Sequence, residues 1–146
     1  MHLPATLMLG ALLVGCGLVP GPEPEWITNR LPLASCGVEE VGVEGGFDAT
    51  ARACLLAAHQ AGGGAELIST LTSVEGDPIT RYLRVHENGV VELFVDATRD
   101  RYGSGAWERL QCERLVPVAE ANDPPDTTFP DVMVFVEDGC EPLPVP

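Results

Sequence analysis

The chain has no lysine: its eight basic residues are all arginine, against 22 acidic ones, for a formal net charge of -14. That balance excludes nucleic-acid binding, which needs basic patches to displace phosphate counterions. It also opposes docking of the body on anionic lipid. Without lysine there is no phosphate loop, and Gly62-Gly63-Gly64 follows a predicted helix instead of opening one. No apolar run approaches the ~20 residues of a membrane-spanning helix. No two cysteines stand at Cys-x-x-Cys spacing, and His59 and His86 are the only histidines after residue 15, which argues against a zinc site. Gly-x-Ser-x-Gly is also missing, so a nucleophilic hydrolase has no elbow motif to rest on, and Ser104 reads as a turn residue. Neither histidine has a partner at motif spacing. His59 falls near a helix C-terminus, where a cation suits the dipole, and His86 begins a hairpin turn. Hydrophobic content of 45% of 146 residues is too high for wholesale disorder and fits one small domain.

What is present begins with an apolar run over residues 3–14, broken by Pro4, Thr6 and Gly10 and of signal-peptide length. It ends in Leu13-Val14-Gly15-Cys16, which resembles the lipobox of bacterial lipoproteins. The resemblance implies cleavage before Cys16 and acylation of that cysteine, with palmitate among the acyl groups. Its n-region, Met1-His2, departs from the pattern in lacking Lys and Arg. The alternative is an ordinary secretory signal with Cys16 incidental. Residues 1–15 hold no Asp, Glu, Lys or Arg, so the whole charge belongs to residues 16–146. A multiply acylated cysteine anchors firmly. The acidic body is expected to stand off the outer face of the cytoplasmic membrane, or within the envelope.

Four segments follow from composition: a signal peptide at 1–15, a lipidated cysteine and proline-rich tether at 16–33, one domain at 34–140, and a proline-rich tail at 141–146. The tether carries Pro20, Pro22, Pro24 and Pro32, with Trp26-Ile27 as residues a plain spacer would not need. Within the domain, Asp48 can cap a helix over 49–61 that places Ala51, Cys54, Leu55 and Ala58 on one face and stops at the triple glycine. The period then changes. Strands are expected at 66–73, 79–86, 90–96, 106–115 and 131–137, with a hairpin at Asn88-Gly89 and a surface loop at 117–130 containing Pro124-Pro125. One helix followed by an antiparallel meander of about 4–5 strands predicts an α+β, two-layer sandwich.

Beyond Cys16, four cysteines in an exported domain imply two disulfides with three possible connectivities. Cys36 precedes the helix that contains Cys54, while Cys112 and Cys140 end two predicted strands. The preferred pairing is therefore Cys36–Cys54 and Cys112–Cys140, each worth about 3 kcal/mol in the chain-entropy model.

Two motifs stand out: Glu75-Gly76-Asp77-Pro78-Ile79, and Asp96-Ala97-Thr98-Arg99-Asp100-Arg101-Tyr102-Gly103-Ser104 followed by Cys112. Together they are similar to a bacterial family of exported lipoprotein domains known only as a domain of unknown function. The similarity spans about residues 36–140. It implies the α+β architecture, supports Cys112–Cys140 with Gly139-Cys140 closing a later strand, and brings no activity. The long proline-rich loop departs from that pattern.

On its own chemistry, the first motif reads as a turn, because Gly and Asp-Pro are turn residues. Glu75 and Asp77 could instead present two carboxylates to a metal or act as an acid pair. Asp96, Thr98 and Asp100 alternate like the start of a calcium loop, but the glycine position holds Arg101 and Glu108 is out of register, which disfavours calcium. Arg99 and Arg101 can pair with these carboxylates. No cofactor, metal ligand set or catalytic constellation is assigned. The expected function is a monomeric, non-enzymatic binding or interaction module. It would touch the membrane only through its lipid and meet an unknown envelope protein or ligand. The alternative is an envelope hydrolase or metal-dependent enzyme using the acidic loops at 75–77 and 96–100.

Overall fold

Asp48 does what its side chain suggests: its Oδ1 accepts the amides of Thr50 and Ala51 at 2.9 and 3.0 Å, starting the helix Ala49–Gln60. The computed structural model describes residues 23–121 and 131–146. The signal segment, Cys16 and Pro124-Pro125 lie outside the described residues. In chain order the elements are helix α1 (Glu25–Thr28), strand β1 (Ala34–Val41), helix α2 (Ala49–Gln60), strands β2 (Ala65–Thr72), β3 (Pro78–Val85), β4 (Val91–Asp96), β5 (Trp107–Cys112) and β6 (Arg114–Pro117), helix α3 (Val118–Ala121), a 3-10 turn (Asp131–Met133), and strands β7 (Phe135–Asp138) and β8 (Glu141–Leu143).

The architecture is α+β with two disulfides, Cys36–Cys54 and Cys112–Cys140, as the preferred pairing had it. The sheet is larger than expected. Six strands run in the order β1-β2-β3-β4-β5-β8, and β6-β7 form a separate ribbon. Strands β2 to β5 make the expected antiparallel meander. Strand β1 precedes the helix and pairs with β2 in parallel, so α2 is a crossover between neighbouring strands. The single strand expected at 106–115 breaks at Glu113 into β5 and β6. The strand expected at 131–137 shortens to β7, which pairs with β6 and not with the main sheet. At the Asn88-Gly89 hairpin only the glycine takes positive φ, at 81°.

One face of the sheet carries Leu67, Leu83, Val85, Val91 and Leu93. They pack against Ala51 and Leu55 of α2 and against Leu115 and Phe135 of the ribbon. The opposite face is covered by residues 23–33, placed in the tether on composition. There Ile27 is fully buried with Tyr82 and Phe94, and Trp26 meets Phe94 and Trp107 edge-on at 5.2 and 5.5 Å. Tyr82 donates to Glu23 at 2.6 Å, and Arg84 donates to the Leu31 carbonyl. This segment is a strap, and it gives the sheet a third layer. Residues 141–143 of the tail add strand β8 to the sheet edge.

Candidate functional site

Strands β1, β2 and β4 end at one end of the sheet. Val41 pairs with Leu71, Thr72 with Pro78, and Asp96 with Thr80. The loops at 42–47, 73–77 and 97–106 therefore gather there, together with the N-terminus of α2. Both sequence motifs belong to this loop end.

The first motif is a turn built by Ser73 and Gly76. Ser73 Oγ accepts the amides of Glu75 and Asp77 at 3.3 and 3.1 Å, and the Ser73 amide donates to the Asp77 carbonyl at 2.8 Å. Gly76 takes φ of 84°, open to glycine at no steric cost. Pro78 opens β3. Asp77 is turned inward and accepts Arg101 Nε at 3.1 Å and the Arg101 amide at 3.2 Å. The hydrogen bond from Arg101 holds its carboxyl below the usual carboxylate range. Glu75 is exposed, and its carbonyl receives Arg101 Nη2 at 3.5 Å.

The second motif folds on itself. Asp96 Oδ1 accepts the Thr98 amide at 3.0 Å and the Thr98 hydroxyl at 2.6 Å. Asp100 Oδ1 accepts the amides of Tyr102 and Gly103 at 3.1 and 2.9 Å. A Cβ on Gly103 would collide with the Asp100 carboxylate, which explains glycine at that position. Tyr102 is exposed. The two motifs are thus one joint, locked by the Asp77–Arg101 pair. Asp96 and Asp100 build turns, Asp77 pairs with Arg101, and the Glu75 side chain is exposed. Among the described residues no group of three or more His, Cys, Asp or Glu side chains is placed to hold a metal. His59 accepts the Leu115 amide through Nε2 at 3.4 Å, and His86 Nε2 lies 3.3 Å from Glu92.

The sequence reading missed two features. The first is a charge ladder beneath the strap, formed by Arg30, Glu66, Arg84, Glu92 and Arg109. Glu66, Arg84 and Glu92 are direct cross-strand neighbours on β2, β3 and β4. Burial would raise the Glu66 carboxyl, but hydrogen bonds from Arg30 and the charges of Arg30 and Arg84 outweigh it and hold the group low. Burial, then the hydrogen bond to Glu23, pushes the nearby Tyr82 hydroxyl up. Strand register reveals this ladder; sequence spacing does not.

The second is an apolar cleft at the loop end, lined by Val41, Val43, Phe47, Leu71, Val74 and Ile79 and about 410 Å³ in volume. Its walls come from the β1–α2 loop and the β2–β3 turn. No element was expected in residues 34–47, so nothing in the sequence brought Val43 near Val74.

Compared with protein-family models, with curated proteins and with solved structures, the chain gives no match in any of the three.

Proposed function

We propose that the chain is an exported, lipid-anchored binding module of the bacterial envelope, held through acylated Cys16 and acting without catalysis. The two disulfides support an oxidising compartment. The apolar run ending in Leu13-Val14-Gly15-Cys16 supports the anchor. The resemblance to exported lipoprotein domains through the motifs at 75–79 and 96–104 agrees with both. The protein meets the membrane through its lipid, recognises an envelope protein or ligand through its folded body, and works as a monomer without nucleic acid.

One observation carries the non-enzymatic part. Asp77, the buried carboxylate of the loop end, accepts both the side chain and the amide of Arg101, while Asp96 and Asp100 accept groups of their own loop. That leaves exposed Glu75 alone of the four candidate carboxylates, whereas an acid–base pair needs two groups turned toward substrate.

The anchor is tested by labelling cells with radioactive palmitate and fractionating them. The wild-type chain is expected in the membrane fraction with label, and Cys16→Ser is expected unlabelled and released. Retention of Cys16→Ser in membranes would refute the lipid as the anchor.

A further inference from the structure

The sheet face under α2 is not covered to its end. Helix α2 starts at Ala49 and lies over the Leu67 and Leu83 part of the sheet. Beyond it, Leu71, Ile79 and Val41 continue the same face and floor the cleft, with Phe47 at its side. Val43 and Val74 stand on the rim, 55% and 81% exposed. They belong to two separate turns, where polar or glycine residues would serve the backbone better. Single exposed aliphatic residues are ordinary, but two that converge on one cleft with an apolar floor make a contiguous patch.

The exposed charged residues next to the two rim valines in sequence are acidic, and Arg101 beside Glu75 is balanced by Asp77. Exposed Glu44 follows Val43, and exposed Glu75 follows Val74. Among the described residues no charged side chain of either sign lines the cleft itself. Arg101, the nearest arginine by way of the turn, is tied to Asp77. An apolar floor with acidic residues adjoining its rim repels anionic headgroups and polyphosphates and attracts cations. The volume admits one or two side chains, not an extended hydrophobic surface.

We propose that this cleft docks a basic protein segment, inserting an aromatic or aliphatic side chain while flanking Lys or Arg residues meet Glu44 and Glu75. The proposal rests on the reading of the protein as a binding module and gives its partner a chemistry. So small a contact makes a weak, salt-sensitive, transient complex.

The test uses the full chain exported with Cys16→Ser, so that both disulfides form without acylation. Amide shifts are followed by NMR while a capped Lys-Lys-Phe-Leu-Lys-Lys peptide is added, with Glu-Glu-Phe-Leu-Glu-Glu as control. Only the basic peptide is expected to shift signals, confined to residues 41–47 and 71–79. Val74→Ser should weaken binding about tenfold, the loss of one buried aliphatic contact. Val43→Ser provides a second apolar probe at an independent turn. Glu44→Gln with Glu75→Gln should weaken binding several-fold and flatten its salt dependence. Unchanged thermal midpoints show that the variants are folded. No shifts, equal shifts with both peptides, or shifts elsewhere would overturn the docking proposal. The palmitate experiment reports on the anchor independently, so either reading can fail alone.

Discussion

Arg52 is 1% exposed and sits between the rings of Phe47 and Phe135, its Cζ 4.3 and 5.2 Å from their centroids. Its Nη2 meets Glu39 Oε1 at 2.8 Å, while Glu39 Oε2 accepts the Asp48 amide at 2.8 Å. One ion pair thus joins β1, the cap of α2 and, through the Met133 carbonyl, the approach to β7. A lone charge left behind in such a place is strongly unfavourable. Arg52→Ala is expected to cost about 3–5 kcal/mol in urea unfolding, and an apolar replacement of both partners much less. Gly103→Ala should lower the thermal midpoint by displacing Asp100, whereas an alanine at neighbouring exposed Ser104 should not. The depressed carboxyls of Glu66 and Asp77 set the sign of the acid response. Their stabilisation is fully present above the ordinary carboxylate value of about 4 and fades as pH falls through the lower folded values. Glu66→Gln should therefore make stability less steep in that acid window while lowering it at neutral pH, as urea midpoints measured across pH would show.

The elements that were legible in sequence are those with a strong local signal. Helix α2 and strands β2, β3 and β4 have a cap, a glycine stop or clean alternation, and the structure contains each of them near the expected bounds. Strand β1 hid for a physical reason. Its inward position Glu39 is charged and is satisfied by Arg52, 13 residues away, and by the Asp48 amide, while the register shifts between Ser35 and Gly37. The strap and β8 hid behind proline, which reads as tether or tail. Pro24 instead N-caps α1, and Pro142 occupies an outer strand of only three residues. In the candidate site, the turn character of the two motifs was readable from residue type, but their junction through Asp77 and Arg101 spans 24 residues and needed the fold. The strap's contribution can be measured directly. Ile27→Ala should cost about 2–5 kcal/mol as a buried large-to-small change. It should also move the fluorescence of Trp26 and Trp107 toward that of solvated indole.

For the whole molecule, the distribution of charge matters more than its total. Arg30, Arg52, Arg81, Arg84, Arg101, Arg109 and Arg114 each have a carboxylate partner within the domain. The positive charge is therefore largely used inside the fold, and the excess acid faces outward. Using arginine throughout suits that role, because its planar, fully ionised head satisfies two carboxylates at once, as Arg84 does with Glu66 and Glu92. The disulfides divide the remaining work. Cys36–Cys54 fastens β1 to α2 across 18 residues, and Cys112–Cys140 fastens the end of β5 to the turn between β7 and β8 across 28. Replacing either pair by serine should cost about 2–5 kcal/mol, and the two losses should be nearly additive because the bridges share no partner.

The strap has a mechanical consequence. Glu23 stands seven residues after Cys16, and from it the chain crosses the sheet through Tyr82 of β3, Phe94 of β4, Trp107 of β5 and Glu66 of β2. A pull on the chain ahead of Glu23 would be spread over contacts with four neighbouring strands and would not fall on one alone. A domain held from that side would resist extraction with four of its six sheet strands, and fully buried Ile27 would act as the bolt.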